Sequence, residues 1–549
     1  MLEKFCVGLV RILLGGILFF LTLLSAVVTC RVYGGSEIVQ YGRDSLFLHL
    51  FFGAGVIGLT VFYRRRKERK CRKNQWLLLA AAAYLFWILL VPSWGGSDSH
   101  QCMASAQGLL QGDFSAWEPV AYSYGTAEGP LGYAYTYPSQ NGLILYMAVL
   151  VFFFGDAAYA VFQILNIGFF ILGIVSLQRM TVRGNERCSL LLWMACCLPF
   201  SFYILFVYGT MPGFGLSCLA MERLVRYVEE GRGRDFWIGA AAVAVAVILK
   251  SNYEIVLVAL FLYLASSGVF RRKARLLVAA VLLITVYVIG NRGIQTGISS
   301  VTGRTVSDGA PMIAWVQMGL EESKRGPGWY NGYQVKLFQK ADGDADLAAA
   351  WAQADLRKTI SDMAEEPAKA ADFFVRKIES IWAEPTFQSL WIQEVGNTSW
   401  AEESPPWELF KEEGGLNRLY VFAANLLQTF VYAMACVWVI AGMSAKGSRS
   451  KHVLMKRTWE KRIEAEKTVK AVKKQGMETV WERQERGEPD RWGMLLPGIV
   501  FIGGFLFHLV WEAKGQYSVV YFMLLLPYAY LGMERVADVF LDVTGAGKE

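Results

Sequence analysis

The apolar run NGLILYMAVLVFFFG, residues 141–155, decides how this chain is threaded through a membrane. A helix needs about 20 apolar residues to cross the hydrocarbon core of a bilayer. The run has only about 15 residues, a length typical of a helix that lies at the membrane surface or re-enters it. We therefore predict that residues 141–155 form a juxtamembrane helix on the outer side.

The whole chain has the composition of a protein that crosses a membrane many times. Of its 549 residues, 54% are hydrophobic and only 18% are charged, which is outside the usual range of soluble domains. The first apolar run is too long for a cleavable signal, so we expect it to remain as a span. We predict an all-α polytopic membrane protein with about twelve transmembrane helices, at residues 7–29, 46–63, 76–93, 157–178, 189–207, 211–227, 235–250, 252–268, 276–290, 416–442, 493–511 and 517–533.

Basic loops predict the orientation of these spans, because Lys and Arg are concentrated in short cytoplasmic loops. The basic clusters occupy residues 64–73, 179–187, 223–234, 271–275 and 446–491. All of them lie in the cytoplasm if the N-terminus is cytoplasmic and residues 141–155 do not cross. If that run crossed, every cluster after it would move outside, so the charge pattern favours a surface helix.

The spans divide the chain into six regions. We expect two extra N-terminal spans with a basic cytoplasmic loop, then a transmembrane core whose first external loop covers residues 94–156. A mostly helical external insertion, a single span, a basic cytoplasmic helical segment and the last two spans with their tail follow. The boundaries are 1–75, 76–290, 291–415, 416–442, 443–492 and 493–549.

The external insertion is rich in tryptophan and carries more acidic than basic side chains. Two interpretations stay open. The insertion either covers a site or binds an acceptor, or it is a self-contained cap packed on its own aromatic core. Its tryptophans include Trp329, Trp382, Trp391, Trp400 and Trp407.

Cysteine usage and charge exclude several classes of partner. The nine cysteines are scattered in or beside apolar runs without the spacing of a metal site, so we interpret them as small hydrophobic residues. The basic clusters are short and lie between spans, so we expect no nucleic acid partner.

Polar residues interrupt the ends of the spans on the predicted external face. Ionisable residues at a membrane edge are costly to place there and are functional candidates for that reason. The interruptions are GGSDSHQ (95–101), YTYPSQN (135–141), YGTMPGF (208–214), LKSNYE (249–254), GNRG (290–293) and WEAKGQYS (511–518). Structural explanations also exist, since Asp98 could cap a helix and Lys250 and Lys514 could extend from helix ends towards water.

Three of these stretches resemble motifs of the GT-C superfamily of membrane glycosyltransferases, and most closely the protein O-mannosyltransferase and aminoarabinose-transferase group. They are SDSHQCMASAQGLLQGDFS (97–115) with Asp98, YTYPSQNGLILYMAVLVFFFGD (135–156) with Tyr137 and Pro138, and EAKGQYSVVYFMLLLPYAY (512–530) with Glu512, Tyr517 and Pro527. The resemblance covers about residues 76–290 and 416–533. The chain departs from the family pattern where a second carboxylate, a second proline and an Arg-Tyr pair are replaced by Ser99-His100, Ser139 and Gln516-Tyr517. No cofactor is firmly expected. A divalent metal stays open but is disfavoured, because hard cations need several oxygen ligands and the second carboxylate is missing.

The resemblance implies a transferase whose donor is a sugar linked to a polyprenyl phosphate at the outer leaflet of a bacterial plasma membrane. It implies an extracytoplasmic acceptor, which is a cell-envelope polymer, a lipid or a protein, and inversion at the anomeric carbon with Asp98 as general base. The residues expected to bind the donor phosphate are Lys514, Lys250, Arg292 and His100. Those expected to bind sugar or acceptor are Gln101, Tyr137, Gln140, Asn141, Tyr253, Glu512, Gln516 and Tyr517.

Three alternatives to this function stay open. A secondary transporter or flippase would place charges at the bilayer midplane and often carries an inverted repeat, whereas here the charges cluster at one face. A polymerase or ligase of the O-antigen type favours an Arg-rich external loop. A non-catalytic relative of the glycosyltransferases would explain the missing second carboxylate.

Overall fold

The computed structural model describes residues 2–33, 37–65, 73–91, 96–123, 129–181, 193–194, 197, 199–396, 408–411, 414–443 and 492–544. The long helices of the bundle are α1 (Leu2–Val27), α2 (Leu46–Arg65), α3 (Lys73–Leu90), α7 (Ala158–Thr181), α9 (Thr210–Glu230), α10 (Gly233–Leu249), α11 (Glu254–Arg271), α12 (Ala274–Thr302), α18 (Gly415–Ala441), α19 (Leu496–Val510) and α20 (Gly515–Val543). The remaining helices are α4 (Asp98–Gln111), α5 (Tyr133–Thr136), α6 (Asn141–Phe154), α8 (Pro199–Leu205), α13 (Met312–Gly319), α14 (Tyr333–Lys340), α15 (Ala345–Glu365), α16 (Pro367–Trp382) and α17 (Ser389–Gly396).

The chain is an all-α protein of the multi-pass membrane type. Within the described residues, seven helical stretches are long and apolar enough to cross a membrane, or eight if the bent pair α8 and α9 forms one span. That pair is bent by 110°. Apolar stretches of α2 and α3, Leu46–Phe62 and Gln75–Leu90, are shorter. The total of twelve spans stays a prediction.

The run at residues 141–155 folds back against the helix that follows it. Helix α6 ends at Phe154, and Gly155 takes a φ of 53°, a conformation that glycine adopts easily. The ring centroids of Tyr146 and Phe162 are 5.3 Å apart, whereas a straight helix would separate them by about 24 Å. Helices α6 and α7 are therefore two packed helices, and the location of α6 at the membrane surface stays a prediction.

Several basic loops meet at one end of the bundle. Arg226 pairs with the buried carboxylate of Glu222 at 2.8 Å, and Arg179, at the end of α7, lies 3.7 Å from the same carboxylate. Arg271, at the end of α11, donates a hydrogen bond to the carbonyl of Val228. This convergence agrees with a common side for these loops, and their cytoplasmic location stays a prediction.

An antiparallel hairpin joins α1 to α2, a feature that the sequence analysis did not predict. Its strands are β1 (Val28–Tyr33) and β2 (Ile38–Arg43), and Cys30 lies opposite Tyr41. Their β-branched and aromatic residues favour strands. The backbone N–H of Cys30 donates to the carbonyl of Ala383 at 2.8 Å, and that of Val39 donates to the carbonyl of Arg325 at 2.9 Å. The N-terminal region is thus docked on the insertion.

The insertion is packed into the bundle and is not a self-contained cap. The ring of Trp382 lies 5.3 Å from that of Phe501 and 5.5 Å from that of Phe505, both on α19. Trp329 and Trp382 are fully buried and belong to the same apolar core as the long helices. The described residues do not include Trp400, Trp407 or residues 444–491 of the basic segment that is predicted to be cytoplasmic.

Candidate functional site

Asp98 begins helix α4 at the end of the bundle that faces the insertion. Ser97 occupies the position before the helix, so Asp98 does not act as the N-cap residue. The carboxylate of Asp98 accepts a hydrogen bond of 3.2 Å from the hydroxyl of Tyr133.

A second group of polar residues links α6 to the α9 and α10 ends. The amide of Gln140 donates a hydrogen bond of 2.7 Å to the hydroxyl of Tyr208. The ammonium of Lys250 lies 4.9 Å from the centre of the Tyr208 ring and donates to Thr210 at 2.8 Å. Gly209 permits this approach, because a Cβ there would lie 2.3 Å from the carbonyl oxygen of Leu249.

The turn between α19 and α20 completes a polar cluster. Its members are Asp98, Gln140, Tyr208, Lys250, Glu512, Lys514 and Tyr517. Lys250 also lies 5.9 Å from the centre of the Tyr517 ring, and the hydroxyl of Tyr517 donates to Glu512 at 3.2 Å. The ammonium of Lys514 lies 3.7 Å from the carboxylate of Glu512. Residues from four distant parts of the sequence thus surround Lys250 and Tyr517.

Two charged residues at this site were missed by the sequence analysis. Glu37, at the start of β2, pairs with Arg325 of the insertion and lies 3.8 Å from the ammonium of Lys514. The amide of Gln388 donates to Glu37 at 3.2 Å. Neither Glu37 nor Arg325 follows an apolar run that marks a span end, so no sequence pattern singled them out.

Burial governs the electrostatics of this turn. Burial raises the pKa of Glu512 above its usual range, the nearby Lys514 and the Tyr517 hydroxyl lower it, and the charge of Asp98 raises it. Asp98 and Glu512 are therefore close enough for their charges to interact. One oxygen of Glu512 is buried without a hydrogen-bond partner in the described residues.

The predicted site residues fall into three groups. Those near the cluster are Asp98, Tyr137, Gln140, Lys250, Glu512, Lys514, Gln516 and Tyr517. Gln516 takes part through its backbone N–H, which donates to Gln388, and the Tyr137 ring packs on Tyr133. Asn141 and Tyr253 are buried and hold the scaffold: Asn141 bonds to Trp117 and Gln295, and Tyr253 bonds to the carbonyl of Thr210.

Within the described residues, His100, Arg292 and Gln101 make no hydrogen bond or ion pair with the cluster. Both His100 and Arg292 are exposed, and no contact ties either of them to the cluster within the described residues. Arg292 was expected at a span end, but α12 continues as a helix to Thr302, so Arg292 lies on its exposed side. The side-chain oxygen of Gln101 is buried without a partner in the described part of the chain.

Neither a group of metal ligands nor a known relative helps to assign a function to this site. Among the described residues, no group of three or more His, Cys, Asp or Glu side chains could hold a metal ion. No family model, no curated protein and no solved structure matches this chain.

The arrangement combines an acid–base group with fixed cations at the end of a membrane bundle. Asp98 can accept a proton from a hydroxyl group, because carboxylates at such positions act as general bases. Lys250 is held by Thr210 and two aromatic rings. Lys514 is held by two aromatic rings and two carboxylates. Fixed cations in a partly dry site stabilise developing negative charge more strongly than bulk water does. The cluster is therefore suited to transfer from a phosphate leaving group.

Proposed function

We propose that this protein is an inverting glycosyltransferase that moves a sugar from a polyprenyl phosphate to an extracytoplasmic acceptor. The acceptor is a cell-envelope polymer, a lipid or a protein. In this proposal the chain has a GT-C-like core with about twelve crossings, and it resides in a bacterial plasma membrane with its site on the outer face.

One observation carries the proposal: Asp98, Lys250 and Lys514 belong to a single cluster at one end of an apolar bundle. The Asp98 carboxylate accepts a hydrogen bond from Tyr133, and Cys102 contacts both Tyr133 and Gln140. Gln140 bonds to Tyr208, whose ring lies 4.9 Å from the ammonium of Lys250. The carboxylate of Glu512 lies 3.7 Å from Lys514. Lys250 lies above the Tyr517 ring, whose hydroxyl binds the same Glu512. A base and two cations at the edge of a membrane match the needs of a donor that joins a sugar to a lipid phosphate.

The proposed reaction is a single displacement. Asp98 removes the proton from the acceptor hydroxyl while that oxygen attacks the anomeric carbon of the donor. The bond between this carbon and the phosphate oxygen breaks, and its electron pair leaves with the polyprenyl phosphate. Lys514 and Lys250 stabilise the charge that develops on the departing phosphate. The anomeric configuration is inverted because no covalent sugar–enzyme intermediate forms.

The test compares wild type, Asp98→Asn and Asp156→Asn in detergent or liposomes with polyprenyl-phosphate sugars and a panel of acceptors. Asp156 is an exposed residue of the turn after α6 and serves as the matched control. We expect Asp98→Asn to lower transfer by about 10²-fold or more, the usual effect of losing a general base. We expect Asp156→Asn to behave like wild type.

Equal transfer by wild type and Asp98→Asn would remove Asp98 from the mechanism. If all three proteins bind the donor and none transfers sugar to any acceptor, the chain is a non-catalytic relative. If the donor lipid moves across liposome membranes without transfer, the flippase alternative replaces the proposal.

A further inference from the structure

The N-terminal hairpin reaches into the candidate site. Its strands are tied to the insertion by the backbone hydrogen bonds of Cys30 and Val39. The hydroxyl of Tyr41 adds a bond of 3.2 Å to the carbonyl of Arg376, on the same insertion. These bonds place Glu37 beside the turn that carries Lys514. The two extra N-terminal helices therefore bring a charged residue to the cluster.

Glu37 is a buried carboxylate with an uncommon backbone conformation, so its charge needs partners. It is 2% exposed, and its φ of 54° is in the left-handed region, which non-glycine residues seldom adopt. A buried carboxylate needs charged or hydrogen-bonding partners to offset the loss of water. Glu37 has three, since Arg325 pairs with one oxygen while Gln388 and Lys514 approach the other.

The N–H groups of the Lys514 ammonium are available to bind a ligand. It lies 3.7 Å from Glu512 and 3.8 Å from Glu37, which is longer than a hydrogen bond in both cases. The rings of Tyr330 and Trp391 lie 5.6 Å and 5.8 Å from it and can hold a cation by cation–π attraction. An ammonium has three N–H donors, and no acceptor among the described residues takes one.

We propose that Glu37 is a positioning residue that holds Arg325 and Lys514 together as a two-cation receptor for the donor phosphate. The inference rests on the proposed function. One carboxylate between two cations offsets their mutual repulsion and fixes the orientation of the guanidinium group. A planar guanidinium can bind two phosphate oxygens at once, while an ammonium acts as a point charge. The N-terminal region then contributes to the binding of the donor phosphate.

The test measures the binding of polyprenyl phosphate, without a sugar, to purified full-length protein in detergent. The variants are Glu37→Gln, Glu37→Asp and the matched control Glu322→Gln. Glu322 also pairs with an arginine of the insertion, Arg376, but at an exposed position. We expect Glu37→Gln to weaken phosphate binding by about 10-fold or more, because charge-assisted contacts depend on fixed geometry.

The other variants and readouts separate positioning from folding. We expect Glu37→Asp to restore part of the affinity and Glu322→Gln to bind like wild type. In transfer assays, Glu37→Gln should raise the KM for the donor and leave the KM for the acceptor unchanged. If Glu37→Gln does not fold, Arg325→Gln takes its place, because it leaves Glu37 with Gln388 and Lys514 and should lower the affinity similarly.

The outcomes distinguish the inference from the proposed function. Unchanged phosphate binding in both Glu37→Gln and Arg325→Gln, in a protein that transfers sugar, overturns the role of Glu37 and leaves the proposed function intact. A wild type that neither binds polyprenyl phosphate nor transfers sugar overturns both. Weaker phosphate binding with an unchanged melting temperature supports the positioning role.

Discussion

The ammonium of Lys377 donates a hydrogen bond of 2.8 Å to the carbonyl of Trp511, the residue before Glu512. It also donates to the carbonyls of Leu509, at 3.0 Å, and Gly319. Lys377 lies on α16 of the insertion and is completely buried. One side chain therefore fastens the insertion to the turn that carries Glu512 and Lys514.

Replacing Lys377 by Met should loosen this turn and destabilise the protein. Three buried carbonyls would lose their donor, and an unsatisfied buried polar group costs about 1–3 kcal/mol. We expect a lower midpoint of thermal unfolding and a several-fold loss of donor binding. Lys369→Met is the control, since Lys369 pairs with Glu366 at an exposed site on the same helix. Equal melting temperatures for Lys377→Met and Lys369→Met would contradict this role.

A buried carboxyl of the insertion should make stability fall as the pH rises. Burial raises the pKa of Glu384 from 4.5 to about 7, although hydrogen bonds from Thr386 and Gln388 oppose the shift. Between these two values the folded state binds more protons than the unfolded state, so the free energy of unfolding decreases as the pH rises. Above about pH 7 Glu384 is ionised in the folded protein as well, and the decrease in the free energy of unfolding is complete.

Thermal unfolding of wild type and Glu384→Gln across pH 5–8 measures this contribution. The wild type should lose stability relative to Glu384→Gln as the pH rises through this range. Parallel stability curves for the two proteins would show that Glu384 does not titrate abnormally. Glu365→Gln, at an exposed position on α15, is the control and should follow the wild type.

Much of the candidate site could be predicted because polarity at a span end is visible in a sequence. Asp98, Gln140, Lys250 and Tyr517 interrupt apolar runs, and counting crossings placed them on one face. Burial of long apolar helices fixes their ends at a common level, so these residues meet for a reason that the sequence contains.

The positions of the other site residues depend on tertiary packing, which no local sequence pattern indicates. Arg325 lies within a long insertion, and its position is set by backbone bonds to Val39 and by the anchor at Lys377. The helix that carries Arg292 is longer than the span predicted from the apolar run. The predicted span ends at residue 290, whereas α12 continues through GNRG to Thr302 and leaves Arg292 exposed.

Tyr517→Phe should weaken donor binding without unfolding the protein. The change removes the hydroxyl that donates to Glu512 at 3.2 Å and keeps the ring below Lys250. A hydrogen bond within a protein contributes about 0.5–1.5 kcal/mol. Because this bond fixes Glu512 beside Lys514, we expect a loss of up to about 10-fold in the affinity for polyprenyl phosphate. Tyr528→Phe is the control on the same helix, because its hydroxyl donates to Met494 at the other end of the bundle. Equal losses in both variants would mean that the effect is structural.

The placement of residues 141–155 can be tested by labelling cysteines from one side of the membrane. Ser139 and Asp156 flank α6 and are both exposed. If α6 lies at the outer surface, as the charge pattern predicts, single cysteines at both positions should react with an impermeant maleimide added outside intact cells. Arg232→Cys, in the basic turn between α9 and α10, should react only after the membrane is opened, and the parent protein gives the background of native thiols. Labelling of Ser139→Cys and Asp156→Cys from opposite sides would mean that the run crosses, and the external location of every polar cluster after it would have to be reversed.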